Sequence, residues 1–207
     1  MKDDLRVLDI SSVEAGAESR GGCIPGIQIV LMAIVAAITY GVVHDQVTAR
    51  VCVEYFTIGH PPLFDTTNPT LLGLGWGIVA TWWVGLILGV PLALVARVGS
   101  WPKTQPAALW KPIGVLLGCM GVCALIAGSV GYAAAQGGGV FLVGPLETKV
   151  PIERHHLFIA DAWAHVASYL SGFVGGVVVL VVVARSRWKA SRAIPRVSVS
   201  GETGSKG

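Results

Sequence analysis

Charged residues are scarce in this chain. Only 13% of its 207 residues are Asp, Glu, Lys or Arg, whereas a soluble domain usually carries roughly 25%. Hydrophobic residues make up 53% of the sequence, and the mean hydropathy is +0.68. The low charge excludes an ordinary water-soluble domain as the main body of the chain and indicates a protein that is solvated largely by lipid.

Cysteine is also sparse, and familiar catalytic motifs are missing. The four cysteines are scattered and do not form the framework of a disulfide-rich domain. The sequence contains no His-Glu-x-x-His, no Gly-x-Ser-x-Gly, no paired Cys-x-x-Cys and no glycine-rich phosphate loop after a strand. The basic C-terminal segment is short and has a single aromatic residue, Trp188, so we expect no nucleic-acid partner.

The chain does have four long apolar runs, at about 24–43, 71–95, 113–135 and 158–183. A helix needs about 20 mostly apolar residues to cross a bilayer. We therefore predict an all-α, membrane-spanning four-helix bundle with short outer loops, in contact with the lipid bilayer. Small residues at four-residue spacing, such as Gly85 and Gly89, predict the faces on which helices pack closely. No feature of the sequence indicates an oligomeric state.

Lys and Arg residues predict the orientation of the bundle. Twelve of the fifteen lie in the N-terminal segment, the second loop and the C-terminal segment, and positive charge favours the cytoplasmic side. We predict a cytoplasmic tail at 1–23, a transmembrane domain at 24–185 and a basic cytoplasmic tail at 186–207, both tails being disordered. The basic cluster between Arg185 and Arg196 is either a topology anchor or a contact for anionic lipid headgroups.

Polar residues concentrate on the predicted outer side. All five histidines lie in or just inside the two outer segments, and the fourth apolar run carries Asp161 and His165 near its start. These two residues share a helix face with Arg154 and Ser168, so that face should point into the bundle. Ionisable groups at membrane depth need partners and are candidate functional residues.

The first loop supplies the candidate partners of that pair. Gln46, Arg50 and Glu54 recur every four residues, which favours a helix that continues past the bilayer with an Arg50–Glu54 pair. Alternation of apolar residues from Val47 to Tyr55 leaves a strand as the alternative.

A metal site on the outer side is one hypothesis, because imidazoles and carboxylates bind transition metals such as Zn. The candidate ligands are His44, Glu54, His60, Asp161 and His165. The candidate supporting network is Asp45, Arg50, Arg154 and His156. The metal would make the protein a membrane enzyme or a metal-handling protein, and the sequence leaves catalysis open.

Two other hypotheses remain. Asp161 and His165 could exchange protons in a small transporter, although the first three apolar runs carry no charge along a path across the membrane. Alternatively, a hydrogen-bonded network of Asp161, His165, Arg50 and Glu54 pins the first loop to the fourth helix in a structural membrane subunit or scaffold.

The string His44-Asp45-Gln46-Val47-Thr48, followed by Glu54-Tyr55-Phe56-Thr57, resembles a motif in a family of uncharacterised bacterial four-helix membrane proteins. The resemblance covers about the first loop. It implies a bacterial membrane protein and no particular chemistry. Together with the four apolar runs, it leads us to expect a multi-pass protein of the bacterial inner membrane.

Overall fold

The computed structural model describes the backbone of residues 4–193 and the side chains of residues 23–193. Within that part of the chain the elements are helices and loops, without strands. The α-helices are α1 (Asp4–Val51), α2 (Val53–Thr57), α3 (Pro69–Val79), α4 (Trp82–Arg97), α5 (Trp110–Gln136), α6 (Pro145–Lys149) and α7 (His155–Ala193). Two short 3-10 helices, Pro106–Leu109 and Ile152–Arg154, precede α5 and α7.

Four segments are long and apolar enough to cross a membrane: Cys23–Val51, Pro69–Arg97, Pro106–Gln136 and Ile152–Ala193. The predicted all-α bundle of four spanning helices is therefore confirmed. The helices extend beyond the predicted runs, because hydropathy locates the apolar part of a helix and not its ends. Helix α1 begins at Asp4, inside the segment predicted as a disordered tail, while residues 1–3 and 194–207 lie outside the described part of the chain.

The second span is made of two helices. Helix α3 ends at Val79 and α4 begins at Trp82, so the helix is interrupted at Ala80 and Thr81. The hydroxyl of Thr81 turns back to donate to the carbonyl of Gly77. Pro91 lies further along, inside α4.

Helix α1 packs against this second span through glycine. A Cβ added at Gly85 would lie 2.6 Å from the Cα of Ile34, and one at Gly77 would lie 2.5 Å from the Cα of Val42. Only glycine allows the two backbones to approach this closely. The predicted small-residue packing face is thus the contact between α1 and the α3–α4 pair.

The two ends of the bundle differ in composition. The end formed by loops 52–68 and 137–151, called the site end from here on, carries the histidines. At the opposite end Arg187 of α7 is 4% exposed and donates to the carbonyls of Val95, Val98, Trp101 and Pro102. This guanidinium thus pairs with carbonyl groups at the end of α4 and in the loop that follows it.

The loops of the site end fold inward. Leu142 and Val150 of the third loop are buried against Cys52 and Phe158, which joins that loop to the first loop and to α7. The site end therefore has a small core of its own above the spanning helices.

Candidate functional site

His165 occupies the centre of the candidate site and is 7% exposed. Its Nδ1 lies 2.8 Å from the backbone carbonyl oxygen of Asp161, one helical turn earlier. A carbonyl only accepts hydrogen bonds, so Nδ1 carries a proton and donates it. The neutral ring then has a lone pair on Nε2, and this atom lies 3.2 Å from Oδ1 of Asp45.

The contact between His165 Nε2 and Asp45 Oδ1 requires either a second proton or a metal cation between the two atoms. A neutral imidazole with its proton on Nδ1 presents a lone pair to the carboxylate, which also offers only lone pairs. Two acceptors face each other stably only if a second proton or a cation lies between them. Both side chains are buried, so water does not screen the repulsion.

His44 completes the cluster from α1. Its ring lies edge-on to the His165 ring, with centroids 4.6 Å apart, and stacks on Tyr40 at 5.7 Å. Its Nε2 is buried without a hydrogen-bond partner. One ligand atom from each of His44, Asp45 and His165 falls within 4.8 Å of the others, as a shared metal ion would require.

Helix geometry explains why these three side chains meet. Helix α1 continues past the apolar run to Val51, so His44 and Asp45 project from regular helix and not from a mobile loop. Because adjacent residues differ by about 100° around a helix, both can border the same side chain of α7. The helical interpretation of this segment is confirmed and the strand alternative is wrong.

Asp161 lies beside the cluster but not in it. The residue is 2% exposed, and its Oδ2 has no hydrogen-bond partner. Its backbone carbonyl orients His165, while its side chain lines a cleft between α1, α5 and α7. Buried carboxylate oxygens are nearly always paired, so this oxygen is an exception among the described residues.

Aromatic rings from α2 cover His165. The rings of Tyr55 and Phe56 have centroids 4.5 and 5.7 Å from that of His165. His60 donates from Nδ1 to the carbonyl of Tyr55 at 2.8 Å and packs on Trp76 at 4.6 Å. Burial raises the pKa of the Tyr55 hydroxyl above its ordinary value, so this group stays neutral near His165.

Glu54 forms an ion pair with Arg154, and the predicted Arg50–Glu54 pair is wrong. Arg154 Nε lies 3.0 Å from Glu54 Oε2, and its Nη2 donates to the carbonyl of Val51. Arg50 instead contacts Gln46 and Thr70. Helix α1 stops before Cys52, whose extended backbone redirects the chain and removes the one-turn spacing that the pair required.

Only some of the residues that the sequence analysis proposed for the site lie together in the structure. It brings His44 and His165 together with Asp45, which was predicted only as a supporting residue. Glu54 and His60 make other contacts, and His156 packs on Tyr132 of α5 with ring centroids 5.1 Å apart. The sequence feature that could have identified Asp45 as a member of the cluster is its position directly after His44, in a segment that continues as helix.

The fold and the site together define a class: this chain is a multi-pass helical membrane protein with a buried His/Asp cluster at one end. A stretch of 43 residues is 51% identical to part of Transmembrane protein 198 from Homo sapiens, and the same holds for the protein of that name from Mus musculus. The match covers 21% of this chain and only 12% of the length of those relatives. No protein-family model and no solved structure matches the sequence.

Proposed function

We propose that this protein binds a divalent transition metal ion, such as Zn²⁺, through His44, Asp45 and His165. The observation that carries the proposal is the pair of facing acceptors, His165 Nε2 and Asp45 Oδ1, at 3.2 Å. A cation resolves this conflict and would also engage the unpartnered Nε2 of His44. Two imidazoles and a carboxylate are a donor set that suits zinc.

The spacing of the donors supports the proposal. Zinc bonds of about 2.0–2.1 Å place tetrahedral ligand atoms about 3.4 Å apart. The separation between His165 and Asp45 is already close to that value, and all three donor atoms lie within 4.8 Å of one another. The bond from His165 Nδ1 to a backbone carbonyl is the outer-shell contact that orients metal-binding histidines.

Three protein ligands leave one tetrahedral position for water or a substrate atom. That arrangement suits a membrane enzyme that activates water as well as a metal-handling protein that passes the ion on.

A structural role is the competing function, and one observation favours it. With a second proton on His165, the 3.2 Å contact with Asp45 becomes an ordinary ion pair that joins α1 to α7. The aromatic cover from α2 would then serve only to exclude water. The metal-binding function predicts a bound ion in the purified protein, whereas the structural role predicts none.

Elemental analysis of the full chain, purified in mild detergent without chelator, tests the metal proposal. We expect about one transition-metal ion per chain, and loss of that ion in the His44→Ala/His165→Gln double variant. His156→Ala is the matched control and should keep its metal, because His156 packs on Tyr132 instead. If wild-type protein stays free of bound metal even after incubation with Zn²⁺, the metal proposal is wrong and the structural role is the remaining function.

We also propose that the protein resides in the inner (plasma) membrane of a bacterium with the site end facing outward. The charge bias of the loops and the bacterial resemblance of the first-loop motif support this placement. The basic cluster that begins at Arg185, in the last turns of α7, would then meet the cytoplasmic leaflet, where anionic lipid headgroups attract Lys and Arg.

A further inference from the structure

A cleft of about 530 Å³ opens beside the His/Asp cluster, between α1 and α5, with α7 as its back wall. Volumes of 300–1,000 Å³ are typical of small-molecule sites. Its lining is mostly apolar and contains no Lys or Arg. A phosphate or carboxylate headgroup would therefore find no cation within the cleft.

The polar groups of the cleft are nearly all satisfied within the protein. Four hydroxyls line it, and each has a hydrogen-bond partner: Tyr40 with Ser168, Thr48 with the carbonyl of His44, Ser129 with the carbonyl of Leu125, and Tyr132 with Gln136. Apart from His44, which belongs to the proposed metal site, Asp161 is the lining residue with a buried unpartnered polar atom. A ligand in the cleft thus meets mostly hydrocarbon walls and, among them, the carboxyl group of Asp161.

The rim of the cleft lies on the side of the helix bundle and not at one of its ends. Val43, Val47 and Leu125 line it and are 61%, 61% and 72% exposed, and all three lie in spanning segments. In a bilayer such side chains contact acyl chains. A ligand therefore reaches the cleft from within the membrane.

We propose that the cleft binds a neutral, hydroxyl-bearing hydrocarbon, such as a long-chain alcohol, with its hydroxyl on Asp161. The apolar lining suits the hydrocarbon chain, and the absence of cationic residues disfavours an anionic headgroup. A hydroxyl both donates and accepts, so it pairs with the carboxyl group of Asp161 whether that group is ionised or protonated. This site does not depend on a bound metal.

The test uses the full chain in phosphatidylcholine nanodiscs and two photoreactive probes of equal length, a C16 alcohol and the C16 alkane. Both carry the same diazirine. We expect the alcohol to label residues of α1 and α5 that line the cleft about five- to tenfold more than the alkane, the ratio given by one added hydrogen bond. Equal labelling by the two probes would overturn the assignment of the hydroxyl to Asp161.

Gly121→Phe is the variant that fills the cleft. Gly121 lines it, and a Cβ built there meets no atom within 4 Å, so the ring can enter the cleft without displacing a helix. Gly118→Phe is the matched control, since its Cβ is equally free and the residue does not line the cleft. We expect labelling by the alcohol to fall at least fivefold in Gly121→Phe and to persist in Gly118→Phe.

A third variant, Asp161→Leu, should reduce the alcohol-to-alkane ratio to about one while the alkane still labels the cleft. Unchanged labelling in Gly121→Phe, or a ratio that survives Asp161→Leu, would contradict the proposal. Metal content measured on the same Gly121→Phe sample separates this proposal from the metal site, because Gly121 is not among the proposed ligands.

Discussion

Glu54 connects three parts of the site end. Its Oε2 accepts from Arg154 of the segment that leads into α7, and from the thiol of Cys52 at 3.3 Å. Cys52 is fully buried at the junction of α1 and α2, and burial raises the pKa of its thiol to about 12. Reaction of this thiol therefore reports opening of the junction, since the folded protein holds it buried and protonated.

We predict that Glu54→Gln accelerates maleimide labelling of Cys52 about fivefold, in a background in which the other three cysteines are serine. The factor corresponds to about 1 kcal/mol, the upper value for a partly exposed ion pair. Mass spectrometry of timed samples measures the rate. Glu153→Gln removes the same charge next to Arg154 from an exposed residue, and it should label at the wild-type rate. Equal rates in the two variants would exclude a role for the ion pair in closing the junction.

The same ion pair predicts a pH dependence. Burial alone would raise the pKa of Glu54, but hydrogen bonds from its own backbone N–H, Arg154 and Cys52 outweigh it and lower the pKa. A lowered carboxyl pKa stabilises the folded protein above the ordinary value of about 4.3, and the stabilisation is lost as pH falls through the lowered value. The difference in melting temperature between wild type and Glu54→Gln should thus be full near pH 6, shrink once the pH falls below the ordinary value of about 4.3, and vanish only below the lowered pKa of Glu54. A difference that persists there would contradict the charge-based explanation.

Single residues also mark the limit of what the sequence predicted. His44 and His165 were predicted to meet because buried ionisable groups need partners, and they do. Glu54 was matched to Arg50 by one-turn spacing, but the helix ends at Val51 and the spacing no longer applies. The partner, Arg154, lies 100 residues away in sequence. Such pairings depend on where a helix stops, and periodicity locates that point poorly.

Helix packing offers a sharper test of the fold, because the glycines differ in what surrounds them. Gly85→Ala would place a Cβ 2.6 Å from the Cα of Ile34 and force α4 away from α1. We expect it to lower the free energy of unfolding by about 1–3 kcal/mol, the usual penalty of overpacking. Gly114→Ala on α5 meets no atom within 4 Å, so it should be neutral or stabilising. Tryptophan-fluorescence melting in detergent measures the stability of both variants. A Gly85→Ala variant as stable as wild type, together with a destabilised Gly114→Ala variant, would refute the close contact between α1 and α4.

The elements themselves were largely predictable, for a physical reason. A run of about 20 apolar residues has few alternatives to a spanning helix, because backbone groups in lipid must be bonded within the segment. The break at Ala80–Thr81 was not predicted, since both residues fit an apolar run and no proline marks the position. Arg187 was assigned to a basic tail, whereas the structure buries it among carbonyls near the end of α4. Hydropathy and charge counts carry no information on such long-range contacts.

At the scale of the whole molecule, the two ends of the bundle carry different kinds of polar residue. The site end carries the histidines and the buried acids, while the opposite end carries Arg187, the second loop and the exit of α7. If the opposite end faces the cytoplasm, the proposed metal site takes its ion from outside the cell, and the cleft opens into the outer part of the bilayer. Orientation therefore decides where both proposed ligands come from.

Cysteine accessibility in spheroplasts of an expressing bacterium tests that orientation. Leu63 in the first loop and Val98 in the second are 58% and 62% exposed, so each can carry a cysteine at the surface of its loop. In a background without native cysteines, a membrane-impermeant maleimide should label Leu63→Cys in intact spheroplasts and Val98→Cys only after permeabilisation. The bias of Lys and Arg towards the second loop and the two terminal segments is the reason for this expectation. Labelling of Val98→Cys in intact spheroplasts would instead place the His/Asp cluster on the cytoplasmic side, where its ion would come from the cell interior.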